Sequence, residues 1–324
     1  GFTYTLNSNT KAGNYDVTTV NGTLTVTAAD ISADAVITLG ANPKYNGKEQ
    51  EIAVNSVTYK GLPVTYTASG NNATDAGSYT LTITANGNFA GSKTAKWSIG
   101  KRAVTLTSAS DSKVYDGTAL KGESVTVGGD GFANGEGATY TFTGSQTDVG
   151  TSVNSFTYTL NGNTKASNYD VTTANGTLTV TTSAATDGSK WAVTLEGDNA
   201  KYDGTEKTVT VSALSYDGVA IPNYTVTGNK ATDAGSYTLT ITANGNFVGS
   251  KSVEWSIAKR TVTLTSASDS KVYDGTALKA ESVMVGGDGF ANGEGATYTF
   301  TGSQTDVGTS GNSFTYTLNG NTKA

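Results

Sequence analysis

Residues 101–166 recur at 259–324 with four differences: Ala103/Thr261, Gly122/Ala280, Thr126/Met284 and Val153/Gly311. A second stretch, TDAGSYTLTITANGNF, stands at 74–89 and again at 232–247, displaced by the same 158 residues. Self-similarity at a fixed period marks a chain built by stacking copies of a structural unit. Two unit types alternate, A holding TDAGSYTLTI and B holding KVYDGTALK. The chain divides into the C-terminal part of a B repeat (1–27), an A repeat (28–100), a B repeat (101–182), an A repeat (183–258) and the N-terminal part of a B repeat (259–324). The opening GFTYTLNSNTKA matches the closing SFTYTLNGNTKA, as expected of a window on a longer tandem array. The two partial B repeats add up to one whole, since 1–27 correspond to 155–181.

Within each repeat the apolar residues fall at every second position, which puts one set of side chains on each face of an extended strand. In Tyr79-Thr80-Leu81-Thr82-Ile83 the Tyr, Leu and Ile share the inward face, and Phe156-Thr157-Tyr158-Thr159-Leu160 does the same in B. Closing strands follow, with Trp97 and Ile99, Trp255 and Ile257, Leu178 and Val180 on the buried side. Thr and Val favour extended backbone, and the 40 Gly break the intervals between strands. No stretch shows a helical period with capping signals. Short strands with Gly, Asn and Asp turns between them predict an all-β chain, a tandem array of small immunoglobulin-like β-sandwich domains in an elongated rod. The alternative is a β-grasp-like single sheet in each domain.

Tyr-Asp/Asn-Gly recurs near the start of each complete repeat and of the last B repeat, at Tyr45, Tyr115, Tyr202 and Tyr273. Asn-Gly and Asp-Gly supply the positive φ of a tight turn, with the Tyr expected to pack beneath it. Asp75 to Tyr79 and Asp233 to Tyr237 have the spacing of a tyrosine corner, in which a hydroxyl bonds back to the backbone at a strand entry. Each module is expected to fold around its own core. Almost no linker separates Trp97-Ser98-Ile99 from Arg102-Ala103-Val104, which predicts a stiff A-to-B joint. The B-to-A crossing at 182–189 is small and polar, which predicts a looser joint and the first site of proteolytic nicking.

Composition removes whole classes of function. There is no Cys and no His, which excludes disulfides, thiolate metal sites, cysteine nucleophiles and the side chain best suited to proton transfer near neutrality. Net charge is -6, with no basic cluster, which opposes contact with nucleic acid or anionic lipid. No apolar run exceeds three residues, so no membrane insertion is expected of this segment. No enzyme activity and no cofactor are expected.

Tyr-Asp-Gly-Thr near the repeat start, Asp-x-Gly before the Tyr/Phe strand, Asn-Tyr-Asp, and Gly-Thr-Leu-Thr-Val at the close resemble the mostly bacterial glycine-rich repeats and the related Tyr-Asp-Gly repeats of large adhesin-like cell-surface proteins. The resemblance covers essentially the whole chain. It implies an extracellular location at a bacterial surface and a stalk or filament without catalysis. Its partners would be neighbouring repeats and head-to-tail copies of the chain. The alternative is an adhesin module whose loops recognise a host glycan or protein.

Four acids sit in the Gly-rich stretch GGDGFANGEGATY: Asp130 and Glu136, then Asp288 and Glu294. Such a loop could bend hard oxygen ligands around calcium, but it lacks the alternating acids and late Glu of an EF-hand, so a solvated loop is the plainer expectation. Lys44, Lys113, Lys201 and Lys271, beside the Tyr turns, are the positions at which a Lys-Asn isopeptide crosslink would form. Trp97, Trp191 and Trp255 read as core residues.

Overall fold

The computed structural model describes residues 1–322; Lys323 and Ala324, the end of the last B repeat, lie outside the described residues. The chain is all-β, with three 3-10 turns among the described residues. Among the described residues no helix is long and apolar enough to cross a membrane. It divides into two compact units whose boundaries run through the complete B repeat. The first comprises Gly1–Ala109, Gly122–Thr143 and Asn154–Gly176; the second comprises Ser110–Lys121, Gly144–Val153 and Thr177–Ala324.

In the first unit the A repeat forms two antiparallel sheets. Ala35–Leu39, Val54–Tyr59 and Leu62–Pro63 make one, and Tyr66–Ser69, Gly77–Ala85 and Ser92–Ile99 make the other. Ala35 and Val57 from the first sheet share a buried cluster with Leu81, Ile83, Trp97 and Ile99 from the second, so the repeat is a two-sheet sandwich and not a single sheet. The alternation that placed Leu81 and Ile83 inward is realised: both are fully buried, and fully burying a side chain of this kind stabilises by about 1.5–3 kcal/mol.

That core does not stop at the repeat boundary. Only Gly100 and Lys101 separate Ser92–Ile99 from Arg102–Ser108. The latter strand pairs antiparallel with Val125–Gly129 and parallel with Tyr169–Ala174. Its Val104 and Leu106, with Ala133 and Tyr169, belong to the same buried cluster as Trp97 and Ile99. The expectation that each module folds around a core of its own is therefore replaced by a core shared between an A repeat and part of the following B. The physical reason is size, because a patch of four buried residues is too small to hold a domain by itself.

The second unit begins with the other part of the same B repeat. Asp111–Val114 pairs parallel with Gly176–Thr181, and Leu120, Leu178 and Val180 form a small cluster against which Tyr115 packs. The second A repeat repeats the sandwich, with Trp191–Glu196, Thr210–Tyr216 and Val219–Ala220 on one side, and Tyr224–Thr227, Gly235–Ala243 and Phe247–Ala258 on the other. Tyr115 also packs against this repeat's core.

The B-to-A crossing differs from the expected loose linker. Ser183–Ala184 pairs parallel with Phe247 and Val248, and Ala185 is fully buried. Small residues are there for close approach: a Cβ on Gly249 would lie 2.4 Å from the Ala185 carbonyl oxygen.

The two partial B repeats show what strands require. In 259–322, Val262–Ser266 pairs with Val283–Gly287, and Ala296–Phe300 pairs with Phe314–Leu318. In 1–27 the residues FTYTL, identical to strand Phe156–Leu160, form no strand. In the complete repeat that strand pairs with Ala138–Phe142, a segment with no counterpart before residue 1 of this sequence.

Candidate functional site

The site-forming residues gather where an A repeat meets the Gly-rich loop of the next B. In the first unit the backbone seats the turn: Tyr45 N donates to Gly100 O at 2.8 Å, and Gly100 N to Pro43 O at 2.9 Å. Gly47 has φ +80, the positive value that the Asn-Gly pair was expected to supply. Across from it, Asp130 N donates to Ala103 O at 2.7 Å, and Gly129 must be glycine because its Cβ would lie 2.6 Å from that same oxygen.

Glu136 is the centre of the joint. Tyr45 Oη donates to its Oε1, and Tyr169 Oη donates to its Oε2 at 2.7 Å. Tyr169 Oη also accepts from Ala133 N at 2.9 Å. The two tyrosine rings meet edge to face with centroids 5.6 Å apart, and Phe132 stacks edge-on to Tyr169 at 5.2 Å. Burial, and then the adjacent carboxylate, push the Tyr169 hydroxyl up to about 12, and the same two causes raise Tyr45.

Ionic and amide contacts surround this centre. Lys44 Nζ lies 2.8 Å from Asp130 Oδ2, and Ala103 N donates to the same carboxylate at 2.9 Å. Lys44 and then that N–H hold Asp130 below the usual carboxylate range. Arg102 spreads its fork over backbone carbonyls from both repeats, with Nε on Gly131 O at 2.8 Å, Nη1 on Tyr45 O at 3.3 Å and Nη2 on Asp130 O. On the far side, Asp75 accepts from Lys165 Nζ at 2.7 Å and from Asn168 Nδ2 at 3.0 Å, while Ala76 N donates to Asn168 Oδ1 at 2.8 Å. Lys165 first, then Asn168, lower Asp75.

The second unit repeats the joint with its own residues. Tyr202 Oη donates to Glu294, Lys201 lies 2.8 Å from Asp288, and Thr261 N donates to Asp288 Oδ2 at 2.8 Å. Arg260 Nε reaches Gly289 O at 2.7 Å and its Nη1 reaches Tyr202 O at 3.4 Å. The Tyr202 hydroxyl is pushed up to about 12, chiefly by the Glu294 hydrogen bond. Lys201 holds Asp288 low. One element is different: residues 259–322 hold no tyrosine matching Tyr169, and Tyr202, Ala234, Arg260, Ala291 and Glu294 border a cavity of about 750 Å³.

A second kind of joint lies between the B tail and the following A, within the second unit. Tyr115 and Phe247 meet edge to face with centroids 5.3 Å apart. Asn246 Nδ2 donates to Asp148 Oδ1 at 2.8 Å, and Val149 N donates to Asn246 Oδ1 at 2.9 Å.

The candidate residues thus have definite places. Asp130, Glu136, Asp288 and Glu294 are committed to lysines, tyrosines and backbone amides, and among the described residues no cluster of three or more acids is placed to hold a metal. Tyr79 Oη donates to Asp75 O at 2.5 Å and Tyr237 Oη to Asp233 O at 2.7 Å, the corner geometry in both A repeats. Trp97 and Trp255 are buried, with Nε1 donating to Gly70 O at 2.9 Å and Gly228 O at 3.0 Å. Trp191 Nε1 reaches Ala185 O at 3.3 Å. Lys44, Lys113, Lys201 and Lys271 each pair with an aspartate, not with an asparagine side chain. Tyr45, Tyr115 and Tyr202 pack into joints, whereas Tyr273 is 60% exposed. Arg102, Asn168 and Asn246 are joint residues that the strand pattern did not mark; the recurrent Lys-Arg and Asn-aromatic pairs are the signal that could have found them.

No family model and no curated protein matches the chain. A structure of Sidekick-1 immunoglobulin domains 1-5 is similar over 88% of this chain and 78% of that one, at 11% identity and a TM-score of 0.17. At that score the two chains do not superpose as wholes, and the fold assignment rests on the sheets described above.

Proposed function

We propose that the chain is a segment of a structural stalk or filament at a bacterial cell surface, in which repeats are joined to one another and no reaction is catalysed. The observation that supports this reading is the shared core, together with its recurrence: the same Tyr, Lys, Arg, Asp and Glu clasp is built at both A-to-B joints. Tension along the chain would pass from Ser92–Ile99 into Arg102–Ser108, two strands that bury side chains in one cluster. A joint of that kind resists separation of the repeats as well as unfolding within them. The partners in this reading are neighbouring repeats, and the extracellular location follows from the resemblance of the repeats.

Single-molecule stretching tests it. The expected record has force peaks whose contour-length gain exceeds that of residues 28–100 alone, on the order of 25 nm at about 3.5 Å per residue. Featureless extension without peaks would overturn the stalk reading. Saturable capture of a host glycan or protein by the chain would favour the adhesin reading instead.

A further inference from the structure

Each A repeat leaves one sheet edge open. In the first, Tyr66–Ser69 pairs with Gly77–Ala85 on one side, and among the described residues no strand lies on its other side. In the second, Tyr224–Thr227 stands in the same way at the end of its sheet. Both edges are built wholly inside residues 28–100 and 183–258, so neither depends on the partial B repeats.

The parity of the ladder fixes which groups are free. Asn86 N donates to Thr65 O at 3.0 Å, and the register continues with Tyr66 opposite Ala85 and Thr67 opposite Thr84. Hydrogen bonding alternates along an antiparallel strand, so Thr65, Thr67 and Ser69 turn their backbone groups into the sheet while Tyr66 and Ala68 turn theirs outward. Asn244 N donates to Asn223 O at 2.9 Å and sets the same parity in the second repeat, which leaves Tyr224 and Val226 outward.

Sheet edges are ordinarily guarded by charge, by proline or by a covering segment. Elsewhere the A repeats use all three: the facing sheet ends on Leu62–Pro63, Ser92–Ile99 carries Lys93 and Lys96, and Phe247–Ala258 is covered by Ser183–Ala184 and Asn199–Lys201. Around the open edges no charged residue occurs from 61 to 74 or from 218 to 229. In a chain of net charge -6, these are stretches at which two copies meet without like-charge repulsion. The edge also matches itself, because the outward groups of Tyr66 and Ala68 lie symmetrically about Thr67.

We infer that Tyr66–Ser69 pairs antiparallel with the same strand of a second copy of this chain, Tyr66 opposite Ala68 and Thr67 opposite Thr67 across a two-fold axis. Every outward N–H then finds a carbonyl of the other copy, and two sheets become one. The two Thr67 side chains meet at the non-hydrogen-bonded position, where opposed residues come closest and a Thr-Thr pair is favourable. Such a contact is isologous and joins copies side by side. Tyr224–Thr227 offers the same edge again 158 residues on. The pairing needs only the edge and is independent of the stalk reading.

Single-cysteine variants of the full 324-residue chain test it, since the chain has no cysteine of its own. Cα atoms at a non-hydrogen-bonded pair are about 4.5 Å apart, within disulfide reach, so Thr67→Cys is expected to give a reducible covalent dimer on mild oxidation. Thr84→Cys, exposed on the neighbouring strand further from the edge, is expected to give about tenfold less. Adding Thr65→Lys and Ser69→Lys to Thr67→Cys sets like charges opposite one another and should cut the dimer by about tenfold or more. Circular dichroism should not change, because both side chains are exposed. Ala68→Pro, which removes an outward N–H and no bond of the chain's own sheet, should lower the dimer in the same way. Monomer only from Thr67→Cys, equal crosslinking by Thr84→Cys, or a dimer indifferent to the lysines would overturn the inference.

Discussion

Tyr169 and Glu136, 33 residues apart in sequence, meet at 2.7 Å, and the same tyrosine oxygen accepts the Ala133 N–H at 2.9 Å. One hydroxyl thus satisfies a buried amide on one side and a carboxylate on the other.

Replacing it should be costly. Tyr169→Phe leaves the Ala133 N–H and one Glu136 oxygen without their partner, at an expected loss of about 1–3 kcal/mol in urea unfolding of the first unit. An unchanged midpoint would show that the ring alone holds the joint.

Alkaline pH should loosen both A-to-B joints. The Tyr169 and Tyr202 hydroxyls are pushed up to about 12 in the folded chain from an ordinary value of 10.0, so they bind their protons more tightly folded than unfolded. That contribution is fully present below about pH 10 and is lost as pH rises through about 12. Asp75, Asp130 and Asp288 have the opposite sign: their folded values lie below 3.8, so their contribution is present above that value and is lost as pH falls through the folded values. Denaturant midpoints measured across pH should be highest between these limits; a monotonic rise past pH 11 would contradict the tyrosine assignment.

Gly70 and Gly228 should not tolerate a side chain. Each has φ +73, and a Cβ would stand 2.4 Å from a backbone carbonyl, that of Thr80 or Thr238. Their own carbonyls receive the buried Trp97 and Trp255 indoles. Gly70→Ala should therefore destabilise by about 2 kcal/mol or more, while Gly13→Ala, with nothing within 4 Å, should be neutral. Thermal melts of the two variants compare them directly.

Trypsin should cut after Lys11 well before it cuts after Lys190. Residues around Lys11 are exposed and unpaired with any strand, whereas Lys190 follows a segment tied into the A sheet at Ser183–Ala184 and lies 2.7 Å from Asp217. Early appearance of a fragment beginning at Trp191 would contradict the strand assignment at the B-to-A crossing.

The two joints show where reading the sequence succeeds and where it stops. Alternation at Tyr79, Leu81 and Ile83 placed the strand and its buried face, and the four Tyr-Asn-Gly and Tyr-Asp-Gly motifs placed turns whose glycines adopt φ of +75 to +83. The crossing at 182–189 pairs at Ser183–Ala184 with Phe247 and Val248, because small residues, which make a flexible linker in water, also allow a backbone to lie close against Gly249. Glu136 was legible as an acid in a glycine-rich loop and nothing more, because its partners come from Tyr45 and Tyr169, far away on either side.

By itself, then, the sequence determined the repeat period, the buried faces of the A-repeat strands and the positive-φ turns, whereas Tyr158, expected inward with Phe156 and Leu160, is 36% exposed. Only the tertiary structure decided that the cores run across repeat boundaries and that a strand forms solely where its partner exists. Alternation says which side of a strand is apolar, but burial depends on what another part of the chain brings to cover it, as FTYTL pairs at Phe156–Leu160 and does not at 2–6.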